Sequence, residues 1–202
     1  MNIKKTANLL INFTIKRISE IIGIIIFASG ILLITALLTY SPEDPNFIFP
    51  DNTEIKNILG FQGSFISDLF FQSIGLVSYF FSFTLIVTGI NIIRSKEFFL
   101  IIENIFFAII YCIFGTLFFA HFYSEAFTLY INGNGGFIGG YLNQTFLNSI
   151  ILINEVIFYY FLIILNFFLF LISVNFHPLK FYELIKNLNK FFTKKERKNY
   201  TD

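Results

Sequence analysis

The stretch that decides the fold runs from Ile21 to Tyr40 and reads IIGIIIFASGILLITALLTY. It contains no charged residue, and it is as long as the roughly 20 apolar residues that a helix needs to cross the hydrocarbon core of a bilayer. Basic residues precede it, and Ser41-Pro42 follows it without a small-x-small cleavage site. The stretch therefore predicts a first transmembrane helix rather than a cleaved signal peptide.

Three more stretches of this kind follow along the chain. They run from about Leu69 to Ile93, from about Phe98 to Tyr123 and from about Ile150 to Val174, and none has Lys or Arg in its interior. The whole chain is 55% hydrophobic and only 13% charged, whereas soluble domains carry about a quarter charged residues. The sequence predicts an all-α membrane protein with four transmembrane helices.

The basic residues predict how the helices are oriented. They lie before the first span (Lys4, Lys5, Lys16 and Arg17), between the second and third (Arg94 and Lys96) and after the fourth (seven residues from Lys180 to Lys198). The remaining two loops hold a single basic residue, Lys56. Because short basic loops stay in the cytoplasm, both termini are expected there.

This orientation divides the chain into three parts. We expect a cytoplasmic segment over residues 1–20 and a four-helix membrane domain over residues 21–174. Outer loops are expected at about residues 41–68 and 124–149. Residues 175–202 are expected to form a basic amphipathic cytoplasmic tail or the start of a linker.

An internal similarity suggests that the domain is two copies of one hairpin. Gly60-Phe61-Gln62-Gly63-Ser64-Phe65-Ile66 aligns with Gly136-Phe137-Ile138-Gly139-Gly140-Tyr141-Leu142. In both copies the glycines precede a descending span, where small residues permit close backbone approach or a bent entry into the membrane interface. A helical pattern of apolar residues after Gly60 predicts a short outer helix. Flexible loop glycines are the alternative interpretation.

The tail combines an apolar stripe with lysines. Phe181, Leu184, Ile185, Leu188, Phe191 and Phe192 follow helical spacing, which is typical of an amphipathic helix on an anionic membrane surface. The run from Lys194 to Lys198 is interpreted as an orientation signal, and contact with nucleic acid is the alternative. No direct DNA binding is expected from this chain.

The sequence lacks the common catalytic motifs. A P-loop requires a Gly-Lys pair, and none occurs in the chain. His121, His177 and Cys112 lie too far apart in the predicted topology to converge on a metal, which needs three or four ligands. We therefore expect no enzyme activity, no cofactor and no metal site.

Polar residues near the spans leave a second function open. Glu20, Glu103 and Glu155 lie within about two turns of predicted span ends, and Asn166 lies deeper, where we expect a hydrogen bond between helices. Carboxylates in spans are the usual indication of transport. A small transporter or channel subunit is therefore the alternative function.

Two segments resemble a known family. Ser41-Pro42-Glu43-Asp44-Pro45-Asn46-Phe47 resembles the Ser-x-x-Asp-Pro-aromatic stretch of the membrane domain of FtsK/SpoIIIE-type DNA translocases. The segment from Asn57 to Leu69 resembles that family's Asn-x-x-Gly-x-x-Gly-Ala-x-x-Ala-Asp-Leu, with Gly60, Gly63 and Asp68 at matching positions. The layout is similar along nearly the whole chain, including Gly135 to Gly139 in the second outer loop.

The resemblance implies the anchoring half of such a translocase. It implies a scaffold in the inner membrane of a bacterium, at the division septum, in contact with division proteins. A cytoplasmic ATP-driven DNA motor would act in cis or in trans, and assembly as a hexamer is implied by the family. The motor and its DNA-reading winged helix are missing from this sequence, and the Trp common after the Asp-Pro of the family is replaced by Phe47 two positions on. We expect loop-shaping or protein-contact roles for Asp44, Pro45, Gly60, Gly63, Asp68, Gly136 and Gly139.

Overall fold

The computed structural model describes residues 3–45, 54–124, 132–178 and 186, and every element in these ranges is helical. The elements are α1 (Ile3–Leu38), α2 (Gly60–Ile74), a 3-10 turn (Gly75–Val77), α3 (Ser78–Ser95), α4 (Leu100–Phe122), α5 (Gly136–Asn143), α6 (Phe146–Ile153) and α7 (Glu155–Ser173). Residues 46–53 of the first loop and most of the predicted amphipathic tail lie outside the described residues.

Four helical runs are long and apolar enough to cross a membrane. They cover Asn8–Leu38, Gly60–Ser95, Leu100–Phe122 and Glu155–Ser173. The prediction of an all-α membrane protein with four transmembrane helices is therefore confirmed. The third predicted span agrees with α4 to within two residues at each end.

The predicted start of the first span at Ile21 is not where the helix begins. α1 begins at Ile3 and has 36 residues, about 54 Å at 1.5 Å per residue. The prediction marked the uncharged part of the helix, whereas the backbone continues through Lys16, Arg17 and Glu20, because these residues have good helix propensity.

The predicted second span, from about Leu69 to Ile93, lies within a longer candidate span, Gly60–Ser95, that is interrupted at Gly75. The predicted short helix after Gly60 is present and extends to Ile74, where the chain breaks at Gly75 with φ 58°. After the break, the backbone N–H of Leu76 donates to the carbonyl oxygen of Asn134 at 2.9 Å. Contact with the second half of the chain thus stabilises the break.

The predicted fourth span begins later than Ile150. Asn154 adopts an extended backbone (φ −156°, ψ 86°) between α6 and α7. Its side-chain oxygen accepts a hydrogen bond from the N–H of Ile157 at 3.1 Å, which is how an N-cap residue satisfies a free donor of the first turn. Residues 150–153 therefore belong to α6.

The spans associate mainly as two pairs, α1 with α3 and α4 with α7. Glycines allow the first pair to approach closely. A Cβ atom on Gly89 would lie 2.5 Å from the backbone nitrogen of Phe27, and one on Gly30 would lie 2.8 Å from that of Ile86. Small residues at such crossings are typical of membrane helices.

The two ends of the bundle differ in character. We call the end formed by residues 39–45 and 54–59 with α2, α5 and α6 the loop end, and the opposite end, where Arg17, Arg94 and Lys96 lie, the basic end. At the loop end α5 packs against both α2 and α4. The loop end therefore holds all seven predicted site residues.

Candidate functional site

Asp44 organises the first loop from the inside. Its side chain is 0% exposed, and its two carboxylate oxygens accept hydrogen bonds from the backbone N–H groups of Lys56 and Asn57, both at 2.8 Å. A buried carboxylate needs such donors, because burial without them costs a large amount of free energy. Asp44 therefore joins the two ends of the loop between α1 and α2.

Asn57 attaches that loop to the end of α1. Its side-chain amide donates to the carbonyl oxygen of Ala36 at 2.9 Å, and its side-chain oxygen accepts from the N–H of Leu59 at 3.1 Å. The side chain is 3% exposed. Carbonyls in the last turn of a helix lack hydrogen-bond partners within it. The side chain of Asn57 supplies a donor to one of them, the carbonyl of Ala36.

Gly63 and Pro45 lie where the loop contacts the first turns of α2. A Cβ atom on Gly63 would lie 2.2 Å from the side-chain oxygen of Asn57, so any larger residue would displace that amide. One residue further on, the hydroxyl of Ser64 donates to the carbonyl oxygen of Pro45 at 3.0 Å. Pro45 is itself buried, so the loop packs onto the first turns of α2.

Asp68 lies in the interior between α2 and the end of α1. It is 5% exposed, and its carboxylate accepts a hydrogen bond from the hydroxyl of Tyr40 at 3.2 Å and a longer one from the amide of Gln72 at 3.5 Å. The ring of Tyr40 also packs on Phe71 with centroids 4.8 Å apart. Asp68 therefore holds α2 against the exit of α1 and does not face solvent.

Gly60 and Gly136 begin α2 and α5 in the same way. Their φ angles are +68° and +63°, a left-handed conformation that costs other residues roughly 1–2 kcal/mol. In each case the glycine N–H donates to the carbonyl three residues earlier, Asn57 for Gly60 at 2.9 Å and Gly133 for Gly136 at 3.1 Å. The aligned segments of the two halves thus share their entry into a helix.

The second glycine segment packs on the rest of the bundle. A Cβ atom on Gly136 would lie 2.6 Å from the backbone nitrogen of Gly75, and one on Gly139 would lie 2.3 Å from the carbonyl oxygen of Thr116. α5 therefore contacts both the break after α2 and the backbone of α4. The two glycine segments shape neighbouring parts of the loop end.

The charged pairs lie outside this packed region. Lys56 donates to Glu43 on the exposed loop surface, and this contact lowers the pKa of Glu43 and raises that of Lys56. At the basic end, Glu20 accepts from Arg17 at 2.5 Å and from Lys96 at 2.8 Å. Glu20 is thus paired, linking α1 to the turn after α3.

Sequence reasoning missed a buried polar network at the basic end. The amide of Asn104, which is 0% exposed, donates to Thr88 at 2.8 Å, and its oxygen accepts from Asn175 at 2.7 Å. Nearby, the hydroxyls of Thr84 and Tyr111 are 2.9 Å apart. These contacts join α3, α4 and the end of α7. The sequence did contain a sign of this network, because polar residues such as Thr88 and Asn104 stand inside otherwise apolar spans.

The prediction that Asn166 makes a hydrogen bond between helices is wrong. Its amide donates to the carbonyl oxygen of Leu162 in the same helix at 2.8 Å. Its side-chain oxygen is buried without a partner among the described residues and lies 3.3 Å from where a Cβ atom on Gly115 would stand. Asn166 therefore does not tie α7 to α4.

The side chains of the predicted site take part in packing and hydrogen bonds. Among the described residues, no three His, Cys, Asp or Glu side chains converge as metal ligands, and the buried Cys112 is a free thiol. The two buried carboxylates, Asp44 and Asp68, are each engaged in hydrogen bonds that close the loop end. The predicted site residues thus form two adjoining structural clusters, one around Asn57 and one around Gly136.

Comparison with known proteins gives this architecture a family. The DNA translocase FtsK of Rhizobium meliloti (strain 1021) is 29% identical over 89 residues, which make up 44% of this chain and 10% of that protein. No solved structure matches the chain. The model of one family, described as the 4TM region of DNA translocase FtsK/SpoIIIE, matches residues 15–186. Because this match covers most of the chain, the protein belongs to the family of FtsK/SpoIIIE membrane regions with four transmembrane helices.

Proposed function

We propose that this chain is the membrane anchor and scaffold of a DNA translocase at the division septum, acting in cell division and chromosome segregation. The observation that carries the proposal is the family match over residues 15–186, together with four helices suited to crossing a membrane. The proposed location is the inner membrane of a bacterium. The matched family is a membrane region, so we assign the chain an anchoring role and no catalysis.

The proposed orientation has both termini in the cytoplasm. It is supported by the positive-inside rule, because Arg17, Arg94 and Lys96 lie at the basic end while Glu43 and Asp44 lie at the loop end. A cytoplasmic ATP-driven DNA motor would then act beside the basic end, either on the same polypeptide or as a separate partner. We extend the proposal to self-association, with the hexamer as the expected assembly.

Contact with division proteins is proposed for the loop end. Asp44 and Asp68 are buried, so they would act by fixing the surface that a partner meets. The exposed residues of that surface include Glu43 and Glu54. The two carboxylates therefore serve as positioning residues for contact.

The position of the protein in dividing cells tests the proposal. A C-terminal fluorescent fusion should form a band at midcell before constriction. Uniform labelling of the envelope by a stable, full-length fusion would contradict septal scaffolding.

A substitution series tests the role of the loop end. Asp68→Ala should weaken the midcell band, because Tyr40 loses its partner and α2 its attachment to α1. Glu97→Ala is the control, since Glu97 is an exposed acid at the opposite, basic end. Unchanged recruitment of Asp68→Ala at normal protein level would overturn this assignment.

The alternative of a transporter or channel subunit receives less support. Glu103 and Glu155 are exposed in the first turns of α4 and α7, where a carboxylate is favoured by the helix dipole. Glu20 is paired with two cations. Solute uptake into proteoliposomes that disappears in Glu155→Gln would favour transport over scaffolding.

A further inference from the structure

The helices of the loop end have an inverted distribution of polarity. In α2 the small and polar residues Gly63, Ser64, Ser67 and Asp68 are buried. Apart from Gln62, the residues that face outward are apolar, with Phe61 48%, Ile66 41% and Leu69 53% exposed. A helix on a water-facing surface shows the opposite pattern, with its apolar stripe toward the core.

The second half of the chain repeats this arrangement. In α5 the glycines Gly136 and Gly139 are buried, while Phe137 and Tyr141 are 63% and 64% exposed. The rings of Phe137 and Tyr141 stack with centroids 6.5 Å apart, as those of the aligned Phe61 and Phe65 do at 6.4 Å. Both halves therefore present a stacked aromatic pair on the outer face of a helix.

Charge is missing from this exterior. The helices α2, α5 and α6 together contain one charged residue, Asp68, and it is buried. Apart from Ser149, the outward residues of α6 are also apolar, including Phe146 at 71% and Ile153 at 79% exposed. An uncharged apolar surface of this kind marks a site of membrane or protein contact.

The transmembrane spans have the same kind of apolar outer surface. In α7 the outward residues Phe161, Ile164 and Phe167 are 51%, 54% and 57% exposed, as expected for a helix that faces lipid. The loop-end helices thus match the lipid-facing spans in outward composition. The loop-end helices should therefore be surrounded by lipid, as the spans are.

We propose that α2, α5 and α6 are embedded in the membrane leaflet at the loop end, with their exposed aromatic and aliphatic residues among lipid chains. The occupant of this surface is lipid, because the apolar pattern occurs in both halves and is continuous in character with the spans. In the orientation proposed above, this is the outer leaflet. Aromatic rings are favoured near the membrane–water interface.

The break at Gly75 makes this placement possible. Without it, α2 and α3 would form a straight rod of 36 residues, about 54 Å long against a hydrocarbon core of about 30 Å. With φ 58° and ψ −142°, Gly75 lets α2 leave the direction of α3. The loop-end helices can then stay within the leaflet instead of standing in water.

Tryptophan fluorescence tests the proposal directly, because the chain contains no Trp. Phe61→Trp and Phe137→Trp each create a single fluorophore on an exposed ring position. The proteins are reconstituted at a high lipid-to-protein ratio in phosphatidylcholine vesicles with or without brominated acyl chains, and iodide is supplied on both sides. Phe167→Trp on α7 is the lipid-facing reference, and Glu54→Trp in the loop is the water-facing reference.

We expect brominated lipid to reduce the emission of Phe61→Trp and Phe137→Trp as much as that of Phe167→Trp, and iodide to quench only Glu54→Trp. Iodide quenching equal to that of Glu54→Trp would show a water-facing surface and overturn the proposal. Protection from both quenchers would show that a protein, such as a second copy of the chain, covers the surface, and would also overturn it. Tyr141→Trp gives a second position on α5 if Phe137→Trp fails to fold.

Discussion

At the scale of single residues, Asp44 shows how the two described ends of the first loop are held together. The carboxylate is fully buried and accepts two backbone N–H groups from the far end of the loop. Hydrogen bonds to charged groups contribute about 1.5–3 kcal/mol. The loop is therefore held by one side chain as well as by the packing of α2.

We predict that Asp44→Asn lowers the free energy of unfolding by about 1.5–3 kcal/mol. The amide keeps one acceptor oxygen, but its NH2 group opposes the second backbone donor. Denaturant titration in detergent, followed by circular dichroism, measures the change. Glu43→Gln is the control and should leave stability nearly unchanged, because exposed ion pairs contribute little. Equal stability of Asp44→Asn and the wild type would contradict the role given to the carboxylate.

Two adjacent glycines in α5 give a second prediction. Gly139→Ala should destabilise the protein, because its methyl group would lie 2.3 Å from the carbonyl oxygen of Thr116 and push α5 away from α4. Gly140→Ala should be neutral or stabilising by up to about 1 kcal/mol, because that position is open and Ala is the better helix former. Thermal unfolding in detergent measures the stability of both variants against that of the wild type. A similar effect of both variants would show that α5 is not packed as described.

At the scale of elements, polar residues inside the spans differ in what they connect. Asn104 bonds to Thr88 and to Asn175, so it links three helices. Asn166 bonds only within α7 among the described residues, and its oxygen has no partner there. Residue type alone therefore does not predict which asparagine stabilises the bundle.

We predict that Asn104→Leu costs on the order of 1 kcal/mol, since hydrogen bonds between membrane helices contribute about 0.6–1.7 kcal/mol. Asn166→Leu should be neutral or stabilising, because it removes an unpaired oxygen. Unfolding in mixed micelles with increasing dodecyl sulfate gives both values. A larger loss of stability for Asn166→Leu than for Asn104→Leu would contradict the view that Asn104, and not Asn166, stabilises the bundle.

Much of the helical layout could be predicted from the sequence. A charge-free run of about 20 residues is a direct consequence of the hydrocarbon thickness, so α4 was placed to within two residues. The short helix at Gly60 was also predicted, because Phe61, Phe65 and Leu69 follow helical spacing. In the site, Asp44 and the glycine segments were recognised from the family resemblance and the internal alignment.

The breaks and the polar contacts could not be predicted. Apolar residues lie on both sides of Gly75 and of the Asn154-Glu155 pair, so a hydropathy argument does not detect that the backbone direction changes there. Hydropathy also does not show that Asn57 lies against Ala36 or that Asn104 faces Asn175, because these contacts join residues far apart in the chain. Such positions depend on how helices pack, which only the tertiary structure shows.

At the scale of the whole molecule, the two ends of the bundle predict how it lies in the membrane. Glu54→Cys at the loop end should react with a membrane-impermeant maleimide in spheroplasts. Glu97→Cys at the basic end should react only after lysis, because short basic segments stay in the cytoplasm. The native Cys112 is buried and gives little background. Labelling of Glu97→Cys alone in intact spheroplasts would reverse the proposed orientation.

The network at the end of α7 has a mechanical consequence. The carbonyl oxygen of Val174 accepts from Asn91 at 3.2 Å, and Asn175 donates to Asn104 at 2.7 Å. A pull on the chain beyond residue 178 would therefore reach three spans at once rather than α7 alone. α7 has few buried residues of its own, so these two side-chain links would spread a load applied after α7 into α3 and α4 as well.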